Sequence, residues 1–155
     1  MDPENAAIAD VLESVASLLE IDDESPFRIR AYRNAADTIR LLNPPLCAMV
    51  ERGEDLTTVQ DIGPALAKKV EEIVRAGCAA YLERLSTERS PGLLELLRIP
   101  GLGPKRVRAL RDALGIQSID DLRAAAESGR LSEVPGFGPR TAERLLERLR
   151  KSDDR

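Results

Sequence analysis

The chain carries one pattern three times: VQDIGPALAKKVEEI from Val59, IPGLGPKRVRAL from Ile99 and VPGFGPRTAERLL from Val134, the first copy being the loosest. Each runs an apolar segment into a Gly-Pro pair and then into a helix-like stretch bearing cations. The glycines before proline, Gly63, Gly103 and Gly138, lie 40 and then 35 residues apart. Glycine tolerates the positive φ of a tight turn, and proline is pre-shaped for the first position of a helix. A chain punctuated in this way folds as helical hairpins. Such a turn leaves backbone N–H groups uncovered at a helix N-terminus, where the helix dipole favours an anion. A phosphate group meets that requirement.

The remainder reads as helix, with no segment patterned as a strand. Ile8, Val11, Leu12, Val15, Leu18 and Leu19 recur at steps of three and four behind an Asp2-Pro3 start signal. Ser25-Pro26 opens a second helix, with Phe27, Ala31, Ala35, Ile39 and Leu42 expected on its inner face and Asn43-Pro44-Pro45 as its end. A short helix over 46–52 follows. Pro64 begins another, with Leu66, Val70, Ile73 and Val74 inward and Gly77 as its stop. Further helices are expected near 79–87, 92–98, 104–114, 119–128 and 139–151, and Ser118 with Asp121 forms a capping-box-like start.

Composition narrows the chemistry. Only 3% of the 155 residues are aromatic against 43% apolar overall, so the core must be built from Leu, Ile, Val and Ala. Two cysteines, Cys47 and Cys78, and no histidine exclude the usual zinc spacings and any imidazole catalysis. The cysteines read as small buried apolar residues in a reducing compartment. Neither a leader-like start nor an apolar run near the ~18 residues of a membrane span is present, so a soluble cytoplasmic protein is expected. The net charge of −4 hides an asymmetry: residues 1–55 carry a net −7, and residues 56–155, which hold the repeats, a net +3.

Four stretches occur in a telling order: SPFRIRAYRNAADTI (Ser25 to Ile39), DIGPALAKKVEEI, LLELLRIPGLGPKRVRAL and GRLSEVPGFGPRTAERLL. The turns resemble the helix-hairpin-helix motifs of DNA-binding proteins. From about residue 5 to 150 the order resembles the N-terminal region of bacterial family X DNA polymerases. The resemblance implies an all-α fold, with a small four-helix, lyase-type domain over residues 1–85 and a fingers-like tandem helix-hairpin-helix domain over 86–155. It also implies a DNA repair or replication context. Phosphate contacts are expected at Gly101, Gly103, Lys105 and Arg106 in one tandem hairpin and at Gly136, Gly138 and Arg140 in the other. Gly63 is the equivalent in the looser copy, and Arg28, Tyr32 and Arg33 are the candidates on the small domain. Contacts of this kind position a backbone and carry no sequence information. The expected partner is therefore duplex, nicked or gapped DNA of any sequence, bound by a monomer associated with the nucleoid. In the family, turn carbonyls also hold Na⁺ or K⁺; the matching carbonyls belong to Leu97, Ile99 and Leu102, and hard oxygen ligands suit such an ion. No other cofactor is implied.

Two further readings stay open. The sequence stops at RKSDDR before any palm domain with its metal-binding aspartates, so nucleotidyl transfer is not expected of it. Some family members also use a lysine as a Schiff-base nucleophile to remove a 5′-deoxyribose phosphate, and Lys69 matches that position, with Tyr32 matching a tyrosine of the same pocket. Where those members carry more lysines, this chain has Arg28, Thr57, Ala65 and Tyr81. An ordinary exposed lysine of pKa ~10.4 offers about one free amine in ~2,500 at pH 7. The remaining alternative is a protein-interaction module whose hairpins are only corners, as the acidic pI of 5.1 permits.

Overall fold

The computed structural model describes residues 3–22, 25–88 and 91–153. Among them there are nine α-helices, two short 3₁₀ turns and no strand. The chain divides into two compact units, Met1–Thr87 and Glu88–Arg155.

In the first unit, α1 (Pro3–Ile21) and α2 (Pro26–Leu41) form the most extensive packed pair. α3 (Leu46–Glu51), α4 (Pro64–Ala76) and α5 (Cys78–Glu88) complete it. The α1 stripe is buried as its periodicity predicts, with Ile8, Val11, Leu12, Val15 and Leu19 in one cluster with Ile39, Leu46, Leu56, Val70 and Ile73. Tyr81 of α5 is buried in that cluster, and Leu82 and Leu85 pack against it. The Asp2 start signal lies outside the described residues.

The inner face of α2 differs from its expectation. Tyr32, Ala35, Ala36 and Ile39 are buried, whereas Phe27 is 81% exposed and Ala31 is exposed. A step of four residues advances ~40° beyond a full turn, so a run of fours from Ile39 back to Phe27 drifts ~120° off the buried face. Ser25 makes no side-chain cap, and Pro26 in the first turn opens the helix instead. Both cysteines are half-buried. Burial, with the carboxylates of Glu4 and Asp10, pushes the Cys78 thiol up from its ordinary value.

Asn5 is a fully buried polar residue of this unit. Asn5 donates from Nδ2 to the carbonyls of Leu42 (3.2 Å) and Pro44 (3.0 Å), and its Oδ1 accepts the Leu46 amide at 2.9 Å. It thereby satisfies the backbone of the α2–α3 turn, which proline-rich sequence cannot close by itself.

The second unit comprises α6 (Pro91–Leu97), α7 (Pro104–Leu114), α8 (Ile119–Glu127) and α9 (Pro139–Asp153). Leu93, Leu96, Leu102, Val107, Leu110, Ile116, Leu122, Leu131, Val134, Phe137, Leu145 and Leu149 are buried. α6 lies so close to the α7–α8 connection that a Cβ on Gly92 would collide with the Gln117 carbonyl. The box at α8 forms in a shifted register: Ser118 Oγ accepts the Asp121 amide, and Asp121 Oδ2 accepts that of Gln117, both at 3.1 Å.

Candidate nucleic-acid interface

The three turns share one backbone geometry. Successive amides reach back three residues, from Val59 to Leu56 and Ile62 to Val59, from Ile99 to Leu96 and Leu102 to Ile99, and from Val134 to Leu131 and Phe137 to Val134, at 3.0–3.2 Å. The next glycine carbonyl then accepts the first bond of the following helix, Ala67 to Gly63, Val107 to Gly103 and Ala142 to Gly138, at 2.9–3.0 Å. The apolar residues at these steps are buried, apart from the half-buried Ile99. Each turn is thus anchored from inside, while its glycines stay exposed and the opening amides of the helix have no intrahelical partner.

The two glycines of a turn answer different demands. Gly101 and Gly136 have φ of +91° and +88°, the left-handed region that only glycine enters without strain. Gly63 and Gly103 lie at φ −88° and −84°, extended backbone open to any residue. A Cβ on Gly63, Gly103 or Gly138 would meet nothing within 4 Å. The packing of the chain does not ask for glycine at these three positions.

The looser copy departs from the other two at one point. Asp61 stands where they have Gly101 and Gly136, and with φ +68° it is the one non-glycine residue of positive φ among the described residues. Its carboxylate places a negative charge on the turn that Gly63 closes.

The cations also separate. Lys105 and Arg140 are exposed and hold no ion pair among the described residues. Arg106 bends back instead: its Nη1 donates to the Gly101 carbonyl at 2.8 Å, and its guanidinium lies 5.7 Å from the Phe137 ring centre. Arg148 of α9 donates to the Pro100 carbonyl and covers the face of Gly101. Arg106, Arg144 and Arg148 line one cleft of about 230 Å³ with Phe137 and Thr141. Arg144 and Arg148 were not among the sequence candidates, although the four-residue spacing of Arg140, Arg144 and Arg148 on one helix was a usable signal. The Ile99 carbonyl, one of three expected cation ligands with those of Leu97 and Leu102, accepts the Leu102 amide at 3.0 Å.

The candidates of the first unit differ in exposure and partners. Arg28 is exposed, Tyr32 is a core residue, and Arg33 is bound to Glu20 at 2.9 Å. Lys69 is half-buried beside Tyr81 and Tyr32, with its Nζ 3.6 Å from Glu72 Oε2. Burial by itself would lower its pKa. Tyr81, Glu72 and Tyr32 together outweigh that effect, and the pKa is raised above the ordinary lysine value. Among the described residues no group of three or more His, Cys, Asp or Glu side chains could hold a metal ion, and no helix is long and apolar enough to cross a membrane.

These features define a chain of helix-hairpin-helix domains. Residues 3–79 match the family model described as a helix-hairpin-helix domain, and residues 93–151 match that of the SAM-like helix-hairpin-helix tandem. Among individual proteins, the chain is 30% identical over 139 residues to the DNA polymerase/3′-5′ exonuclease PolX of Bacillus subtilis, a match that covers 90% of this chain and 24% of that protein. This makes it a helix-hairpin-helix region like that of a family X polymerase. It is 29% identical over 89 residues to the Holliday junction branch migration complex subunit RuvA of Acidovorax sp. (strain JS42), covering 57% of this chain and 47% of RuvA. It is also 29% identical over 145 residues to the UvrABC system protein C of Beutenbergia cavernae, covering 88% of this chain and 20% of that protein. The chain therefore spans from a fifth to about half the length of these relatives.

Proposed function

We propose that this chain binds DNA through its phosphate backbone, without reading sequence, as the DNA-holding part of a repair or replication protein. The observation that carries the reading is the open space at Gly63, Gly103 and Gly138. Two of these have dihedral angles that any residue adopts, and a Cβ on any of the three would meet nothing within 4 Å. The advantage of a bare backbone there comes from a ligand approaching the amides of a helix N-terminus, and a phosphate is the anion that such amides bind. Paired hairpins in the second unit, each followed by an exposed cation, Lys105 or Arg140, suit the two strands of one duplex. The names of the relatives, a DNA polymerase, a Holliday junction subunit and a UvrABC component, point the same way.

Nicked or gapped duplex bound by a monomer is the form this reading favours. A sodium or potassium ion on the carbonyls of Leu97, Ile99 and Leu102 belongs to the same proposal for the first tandem hairpin. The Ile99 oxygen keeps a lone pair after accepting the Leu102 amide.

The test is fluorescence anisotropy of a labelled duplex with wild type and the double variant Gly103→Thr, Gly138→Thr. Threonine caps helices well, so folding persists, while its Cβ branch and hydroxyl occupy the amide site. Wild type should bind with Kd of roughly micromolar or weaker near physiological salt, weakening steeply as salt rises. The variant should lose at least about tenfold, or ~1.4 kcal/mol. Unchanged affinity in a folded variant would support the protein-interaction reading instead.

A further inference from the structure

Arg106, Arg144 and Arg148 converge on one cleft, and none of them pairs with a carboxylate among the described residues. This contrasts with their neighbours: Arg108 lies on Asp112, and Arg130 on Glu133. Three guanidiniums around about 230 Å³ repel one another unless an anion sits between them. Two are fixed in place by backbone carbonyls, Arg106 on Gly101 and Arg148 on Pro100, and each retains donors beyond the one used. Arg106 is further held over the Phe137 ring. The cleft also has a half-buried hydroxyl, Thr141, which holds the position in the second tandem copy that Arg106 holds in the first.

We infer that this cleft is a second kind of phosphate site, in which Arg106, Arg144, Arg148 and Thr141 take a phosphate of the same DNA strand whose neighbouring phosphate lies on the Gly103 amides. The inference rests on the DNA-binding reading above but uses different atoms, side-chain guanidiniums in place of backbone amides. Guanidinium forks match the oxygens of a phosphate in pairs, which a lysine cannot do. The Pro100-Gly101 turn forms one wall of the cleft and α9 the other, so a bound phosphate would join the two hairpins through one ligand.

Arg144→Gln is the variant of choice, because among the described residues the Arg144 side chain makes no hydrogen bond. Anisotropy titrations with a labelled duplex over a series of NaCl concentrations should show affinity reduced about three- to tenfold and the slope of log K against log salt reduced by about 0.9, the value for one phosphate contact. Arg123→Gln changes the net charge equally, away from the cleft, and should leave the slope as in wild type. Melting temperatures verify that both variants are folded, and Arg148→Gln, which also frees the turn, should lower the slope as much or more. If Arg144→Gln and Arg148→Gln both keep the wild-type slope, the cleft is not a phosphate site, even where Gly103→Thr, Gly138→Thr abolishes binding. If the glycine variant binds as wild type while Arg144→Gln lowers the slope, the cleft stands and the hairpin reading falls.

Discussion

Thr38 Oγ1 donates a 2.5 Å hydrogen bond to Oδ2 of Asp61, tying α2 to the turn that precedes α4. The bond holds a carboxylate at the turn position that is glycine in the other two copies, with its backbone in the left-handed region at φ +68°. Of three turns built on one plan, the one in the first unit carries its own negative charge, which opposes a phosphate.

Replacing Asp61 by glycine should therefore strengthen duplex binding, by about three- to tenfold, as the repelling charge goes. Folding should change little. Relief of the left-handed strain, ~1 kcal/mol, offsets a lost hydrogen bond of about the same size. Anisotropy and a urea melt on the same preparation check both parts; weaker binding by Asp61→Gly would show that the acid belongs to the interface.

Lys69 should form no Schiff base. The reaction needs a neutral amine near pH 7, whereas this one, though burial opposes it, has its pKa raised above the ordinary lysine value beside Tyr81, Glu72 and Tyr32. Borohydride trapping on DNA bearing a 5′-deoxyribose phosphate is expected to give no adduct that Lys69→Ala removes. A raised folded pKa means that the ammonium's contribution to stability is complete below the ordinary value of 10.5 and is lost as pH rises through the higher folded value. Lys69→Met should accordingly melt lower than wild type at neutral pH, with the gap closing only in strong alkali.

Acid should expose the role of Asp55. Its carboxylate accepts the Thr57 hydroxyl at 2.6 Å and the Thr57 amide at 3.0 Å, capping the 3₁₀ turn over 56–58, and these bonds hold its pKa below 3.8. The contribution is present above 3.8 and disappears as pH falls through the lower folded value. Melting curves of wild type and Asp55→Ala should differ at pH 7 and converge as the acid end is approached. A gap of constant size down to the lowest pH would mean that the carboxylate's charge is not what matters.

Asn5→Ala should destabilise the first unit by about 2–3 kcal/mol, since the buried Leu46 amide would be left without a partner and the Leu42 and Pro44 carbonyls would lose theirs. Chemical denaturation measures it directly. An effect below about 0.5 kcal/mol, typical of a surface position, would mean that water replaces the side chain without cost.

Local pattern alone determined much of this protein. The apolar stripe of α1, the inward residues of α4 and the Gly-Pro starts of α4, α7 and α9 are legible because helix periodicity and turn chemistry act within a few residues. The three-residue steps of the turns were in the sequence for the same reason. What the tertiary structure decided lies in contacts between distant segments. Asn5 reaches a backbone 41 residues away and Arg148 one 48 residues away, and no propensity or spacing encodes either pairing. Tyr32 and Tyr81 flank Lys69 because α2 and α5 both pack into the core beside α4, and that arrangement turns a surface-patterned lysine into a held ammonium. The exposure of Phe27 is of the other kind, because the drift of four-residue steps that carries it off the buried face is a property of the α2 sequence itself.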